Sequence, residues 1–443
     1  MPRLNASSLP SRQRGVATLV VVSILFFIVA LVAAYTNRNL IFEQRTSGNQ
    51  WRATLASETA EGGIEWVLSQ LNSGRIGDTC VPTDDDTLPS FRERYLATAA
   101  ATGVISAVPN RSFGCVSDGA GGWSCSCPAN DNPAPAAPVG TGVYPAFRAR
   151  FIAVAGARPG VITLEVNGCT RLDNQCLQFP AQAVGNEGRA NLRVMLALRN
   201  ALAAAPIAAI TARGDIAHAG SLGAFNPDPA DGGLAILAGG DVEKADPAGP
   251  GLRVGSAPGS PADEAMVVRQ GDPPLKVLLD IADPVEGGKR MFAATFSVWP
   301  DDYRDQAGAV VLECGAGGCN GDDIRDTLGL NPGRVVWANG NVVLDGGAPI
   351  GSATAPLVLV VRGALEIDSD VFGLLYVRAD ADDDGADDIW AAGGNGTLTG
   401  ALVVEGSMGG DAGFTVVRDR AVLEAVQRTV GSFVRVPSSW RDF

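Results

Sequence analysis

Twenty consecutive uncharged residues, VATLVVVSILFFIVALVAAY at positions 16–35, constrain this 443-residue chain more than any other feature. An α-helix of that length covers ~30 Å of hydrocarbon, so the run reads as membrane-spanning. Arg3, Arg12 and Arg14 precede it, which holds residues 1–15 on the cytoplasmic side and sends everything beyond Tyr35 outward. Two other readings compete: a secretory signal cut before Tyr35, where Val32, Ala33 and Ala34 offer small side chains, and a plain uncleaved anchor. The run is longer than the ~7–15 residue core of a secretory signal, and helical character continues past it instead of stopping at a turn.

The rest of the chain is large enough for two or three domains, with 46% hydrophobic residues to build cores. Fifty-five Gly and 27 Pro among many Val, Ile and Leu point to short strands joined by tight turns. A net charge of −14 excludes nucleic acid as a partner, since neutralising phosphates takes a basic face. The eight cysteines hold no C-x-x-C pair and a single His accompanies them, so disulfides and an oxidising compartment are the better reading than zinc. Cys169 with Cys176 and Cys314 with Cys319 close small loops; Cys80, Cys115, Cys125 and Cys127 make two more bridges of open connectivity.

Beyond the apolar run, Trp51, Leu55, Ala60, Ile64, Val67, Leu68 and Leu71 recur at helical spacing and predict one amphipathic helix to about Asn72, stopped by Ser73-Gly74. Glu58, Glu61 and Glu65 form a solvated face of it. Gly62 and Gly63 cost roughly 1 kcal/mol each inside a helix, which close packing against a domain or another subunit explains.

Arg12-Gln13-Arg14-Gly15, a short basic leader ending in Gly before an apolar helix, resembles the prepilin peptidase site of the type IV pilin class. The stretch from Leu40 to Asn49, with Glu43, Arg45, Gly48 and Asn49, and the stretch from Leu55 to Ile64, with Glu61, are similar to the "L-x-E-R-x-A-G-N" and "A-x-x-A-E-x-G" boxes of PilX-like pilus assembly proteins. The likeness covers about residues 11–71 and departs at Gln44 and Ser47. It implies cleavage between Gly15 and Val16, with Arg14, Gly15 and Val16 as the processing site. It also implies other minor pilins, the assembly platform and the prepilin peptidase as partners, and an inner-membrane precursor with a periplasmic head that enters an extracellular fibre. Major pilins carry a glutamate at the fifth mature position, where this chain has Val20; the resemblance therefore points to a minor, priming or tip subunit. A K-type secretion pseudopilin and a calcium-tuned surface adhesin are the alternatives.

The expected fold class is α+β, mostly β: the long N-terminal transmembrane and amphipathic pilin helix, an antiparallel sheet, then a β-solenoid-like C-terminal domain. The divisions are 1–15 leader, 16–72 helix, 73–204 disulfide-containing loops and sheet, and 205–443 Gly-rich β domain. Runs 146–152, 161–166 and 190–198 alternate apolar and polar, as half-buried antiparallel strands do. From about residue 205 a weak repeat recurs: an apolar run, a Gly, a small residue, an apolar residue. Its glycines, Gly214, Gly240, Gly340, Gly363 and Gly406, lie 26, 100, 23 and 43 residues apart. Taking 43 as two turns and the long gap as an insertion gives a solenoid turn of roughly 20–26 residues, against a sandwich with recurrent Gly turns. Residues 420–427 read as a helix that caps the last turn.

The chemistry sought is mostly missing. Asp380, Asp382, Asp384 and Asp388 follow the D-x-D-x-D-G-x-x-D spacing that wraps oxygens around Ca²⁺, but position twelve of that loop is Ala391. The alternative is a solvated acidic loop. There is no G-x-S-x-G elbow and no phosphate-binding G-x-x-x-x-G-K-[ST] loop, and His218 is the sole histidine, so the expectation is a non-enzyme. A solenoid polysaccharide hydrolase using paired Asp is the enzyme reading left.

Overall fold

The computed structural model describes residues 14–442, apart from residues 141, 154–155, 157, 181–186, 219, 230–231, 244–250, 269–285, 379–388 and 411–412. The chain opens with helix α1 (Arg14–Leu71), 58 residues without a break and about 87 Å long at ~1.5 Å per residue. Its first half stands clear of the rest of the chain, and its second half packs on an antiparallel sheet. The coarse class expected from sequence holds: a long apolar helix, then mostly β structure.

After the short α2 (Phe91–Tyr95) come β1 (Leu96–Thr98), β2 (Ile105–Ala107), β3 (Phe113–Ser117), β4 (Trp123–Ser126), β5 (Ala146–Ile152), β6 (Val161–Cys169) and β7 (Arg189–Asn200). The three alternating runs are β5, β6 and β7. Their apolar residues Phe147, Ala149, Ile162, Leu164, Val166, Leu192, Val194 and Leu196 share a core with Ala56, Ala60, Ile64, Val67 and Leu71 of α1. The helix rides close on β6: a Cβ at Gly168 would lie 2.3 Å from the Ala56 carbonyl oxygen.

A second module follows, with β8 (Ile210–Ala212), β9 (Ile216–His218), β10 (Gly223–Phe225), β11 (Ile236–Ala238), β12 (Arg253–Gly255) and β13 (Val267–Val268). Helices α3 (Gly287–Phe296) and α4 (Pro300–Arg304) lead to β14 (Ala309–Glu313) and α5 (Gly321–Leu330). Then come β15 (Val335–Asn339), β16 (Val342–Leu344), β17 (Leu357–Arg362), β18 (Leu365–Ile367) and β19 (Val371–Val377). The module closes with β20 (Ile389–Ala392), β21 (Thr397–Val404), β22 (Ser407–Gly410), β23 (Thr415–Val417) and α6 (Arg420–Thr429).

Among the described residues every ladder of this module is parallel. One runs β14-β15-β17-β19-β21-β8-β11-β13. A second joins β16 to β18 and β20 to β22 to β9. A third joins the start of β21 to β23, β10 and β12. Inward residues from all three, such as Leu359, Leu365 and Leu398, meet in one apolar interior. Ala309 pairs with Val335, Val336 with Leu359, Leu357 with Gly373 and Gly373 with Gly400, spacings of 26, 23, 16 and 27 residues, a wider spread than the expected turn.

The five repeat glycines all fall at the corner between the first and second ladders. At Gly363 the backbone sits at φ 151°, and a Cβ would come 2.6 Å from the Gly340 carbonyl carbon, so neither the angle nor the space suits another residue. The chain enters this stack in its middle. Its last turn, β21 to β23, pairs with its first, β8 to β10.

Two expectations need correction. Residues 420–427 do form a helix, but α6 does not cap a turn end: Leu423 and Val426 pack with Phe292, Trp337 and Tyr376 on the outer face of the first ladder. That ladder is apolar on both faces, so it demands helical cover. The helix at the β14 end is α5, which puts Ile324, fully buried, into the interior. The end of the chain also leaves the Gly-rich module: β24 (Gly431–Arg435) and β25 (Arg441–Asp442) pair antiparallel with β7. The unit proposed as 205–443 therefore returns its last strands to the first sheet. The parallel module is an insertion between neighbouring strands, with Ala201 N–H donating to the Val430 carbonyl at 2.9 Å where the chain leaves and re-enters.

Candidate functional site

Among the described residues the most unusual surface is the free half of α1. The apolar side chains from Val16 to Phe42 are exposed, Phe26 by 73% and Phe42 by 71%, and this helix is long and apolar enough to cross a membrane. Covering so much apolar area takes lipid or other protein. Arg14 and Gly15 lie in the first turn of α1, and Val16 is exposed at the start of the apolar surface. Val20 is exposed on the same stretch.

Glu43, Arg45 and Asn49 are exposed, Gly48 is half-buried, and none of them reaches the antiparallel sheet. The helix docks from Arg52 onward, where a Cβ on Gly188 would lie 2.2 Å from the Arg52 carbonyl oxygen, and its fully buried residues begin at Ala56. Here the structure departs from the expected stripe: Trp51 is exposed and Leu55 half-buried, while Ala56 and Thr59 join Ala60, Ile64, Val67 and Leu71 in the seam. Small residues win because the helix backbone lies almost against β6. Gly63 is buried, its Cβ position 2.9 Å from the Phe147 ring, whereas Gly62 faces open space with Glu58, Glu61 and Glu65 exposed around it.

The cysteines form Cys80–Cys127, Cys115–Cys125, Cys169–Cys176 and Cys314–Cys319. The two local loops are as expected, and the open connectivity resolves into one long bridge that ties the loop after α1 to β4, plus one cross-strand bridge between β3 and β4. Asp380, Asp382, Asp384 and Asp388 lie outside the described residues, and among the described residues no cluster of metal-ligating side chains occurs.

Among the described residues the buried charged side chains are Arg94, Glu165, Glu405 and Arg418, and each of the two carboxylates gathers a network. Glu165, 3% exposed on β6, accepts from Arg150 Nε at 2.8 Å and Arg193 Nη2 at 2.6 Å. Inside the parallel module, Glu405 accepts from Arg378 Nε at 2.8 Å and from the Tyr376 hydroxyl at 3.0 Å, while Arg213 Nε donates to the Glu405 backbone carbonyl. Burial, reinforced by Glu405, pushes the Tyr376 hydroxyl well above its ordinary value. Both clusters tie neighbouring strands together.

Sequence reading missed the junction between the modules. Asn72, at the end of α1, accepts from Phe433 N–H at 2.8 Å and donates to the Phe433 carbonyl at 2.9 Å, pairing with β24 as a backbone would. Arg75 and Arg92 lie beside it, at a cleft of about 670 Å³ that both modules line. The readable signal was the S-x-x-E capping box of Ser90 and Glu93 that starts α2 and sets Arg92 in place.

No family model matches this chain, and no curated protein matches it. Among solved structures, competence-associated pilin ComZ from Thermus thermophilus aligns over 88% of this chain and 97% of its own, at 12% identity and a TM-score of 0.21. A score of that size does not establish a common fold.

Proposed function

We propose that this protein is a minor subunit or assembly factor of a type IV pilus or a related fibre, PilX-like in its N-terminal boxes, anchored by α1 and cut between Gly15 and Val16. The observation that carries this reading is the two-part helix. One unbroken helix offers its first half, wholly apolar, to lipid and neighbouring subunits, and seats its second half on an antiparallel sheet. A role among other minor pilins and the assembly platform, near the fibre tip, suits Val20, which offers no carboxylate to pair inside the membrane.

The parallel module is read as a β-solenoid head, supported by its three ladders around one interior, and the four disulfides suit a periplasmic or external location. The role is structural rather than catalytic, with no nucleic acid bound and Ca²⁺ at Asp380 to Asp388 as the one cofactor worth testing. Sequencing the N-terminus of protein recovered from cells decides the main point. N-methylated Val16, lost in a Gly15→Leu variant, is the expected result; Tyr35 or Met1 at the N-terminus, or normal processing of the variant, would overturn it.

A further inference from the structure

Two helices from different modules end at the same place, and each ends on an arginine. The last carbonyl of α1, on Leu71, accepts from Arg92 Nε. The same guanidinium donates from Nη2 to Asn72 Oδ1 at 3.1 Å and to the Gly431 carbonyl at 2.8 Å, and from Nη1 to the Gly333 carbonyl at 3.2 Å. It also lies 5.0 Å over the Phe433 ring. The final carbonyls of α5 turn to Arg75: its Nε donates to Gly329 at 2.6 Å and its backbone N–H to Leu330 at 3.0 Å. Gly74 admits this approach, since a Cβ there would stand 2.6 Å from the Leu330 oxygen.

Helix C-termini carry partial negative charge on unpaired carbonyls, and a guanidinium answers both the charge and the missing donors. Arg92 joins the end of α1, the start of β24 and the Gly333 turn of the inserted module; Arg75 joins the loop after α1 to α5. Further links are the paired covalent crossings at Ala201 and Val430, the Gly431 N–H to Gly333 carbonyl bond at 3.0 Å and the Arg428 Nη1 to Ala100 carbonyl bond at 3.4 Å. Beside them the cleft of about 670 Å³ leaves room for the modules to change angle.

We propose that Arg75 and Arg92 form a latch that fixes the inserted head to the spine helix as one rigid body, and that the adjacent cleft is the space into which the head swings when the latch is cut. This goes beyond the pilus role and does not depend on how the N-terminus is processed.

The test is a distance measurement on the full chain in detergent, with spin labels at Glu61→Cys on α1 and Asp326→Cys on α5, both exposed, in a protein whose native cysteines are all paired. The labelled protein with both arginines should give one narrow distance distribution. Arg75→Gln combined with Arg92→Gln should widen it roughly twofold while far-ultraviolet dichroism and the four disulfides stay intact, because loosely held modules move by default. An unchanged width in the folded double variant overturns the latch. Should that variant fail to fold, Arg75→Gln alone, whose backbone N–H keeps its bond to Leu330, decides: a widened distribution supports the latch, and an unchanged one overturns it.

Discussion

Glu165 shows how a single side chain can be legible in place and invisible in partner. The alternation in β6 was plain, yet Glu165 sits where that alternation predicts solvent and is almost fully buried, because Arg150 from β5 and Arg193 from β7 close over it. Cross-strand register sets those partners, and register is not written in one strand's sequence. Burial alone would push the Glu165 carboxyl up; hydrogen bonds and charge from Arg193 and Arg150 outweigh it and hold the carboxyl below its ordinary value. A depressed carboxylate stabilises the fold above its unfolded-state pKa, and that contribution is lost as pH falls through the folded value. Glu165→Gln should cost about 2 kcal/mol at neutral pH, the two arginines being partly exposed, and should flatten the acid limb of stability. Urea melts at neutral and acid pH check both, and an acid limb as steep as in the parent protein would show that Glu165 is not its source.

At the scale of elements, what could be read was whatever the backbone enforces. The corner glycines announced the turns of the parallel module because a Cβ at Gly363 has nowhere to go, and the apolar seam of α1 announced a helix. The choice of cap was not readable, since α5 and α6 are both ten-residue amphipathic helices and only three-dimensional neighbours separate them. The β3 and β4 strands were missed because residues 73–146 are rich in Cys, Gly and Pro, a composition in which strand alternation hardly shows. Since α5 closes the β14 end of the stack with Ile324, Ile324→Ala should cost about 3 kcal/mol. It should also speed amide exchange in β14 and β16 before β21. Exchange that rises evenly over the module would mean that α5 is not an end cap.

On the scale of the whole molecule, the division into a helix, an antiparallel sheet and a Gly-rich module was visible from composition, but the nesting of one inside another was not. The pairing of Gly431 with Asn200 reveals it, a contact 231 residues apart in sequence that no local pattern encodes. The antiparallel module keeps a core of its own, drawn from residues 56–198 and Phe433. Replacing residues 202–429 with a short turn should therefore leave a folded protein with Cys80–Cys127, Cys115–Cys125 and Cys169–Cys176 intact. Circular dichroism and a disulfide map check this, and an unfolded product would show that the inserted module is needed for the sheet. The insertion has a further meaning under tension. Because β7 and β24 leave the sheet at the same end, a pull on the parallel module draws both strands in one direction and cannot peel them from each other. The load falls instead as shear along the nine paired residues between β6 and β7, where many hydrogen bonds resist together, so the parallel module hangs from the antiparallel sheet by a double tether that is hard to unzip.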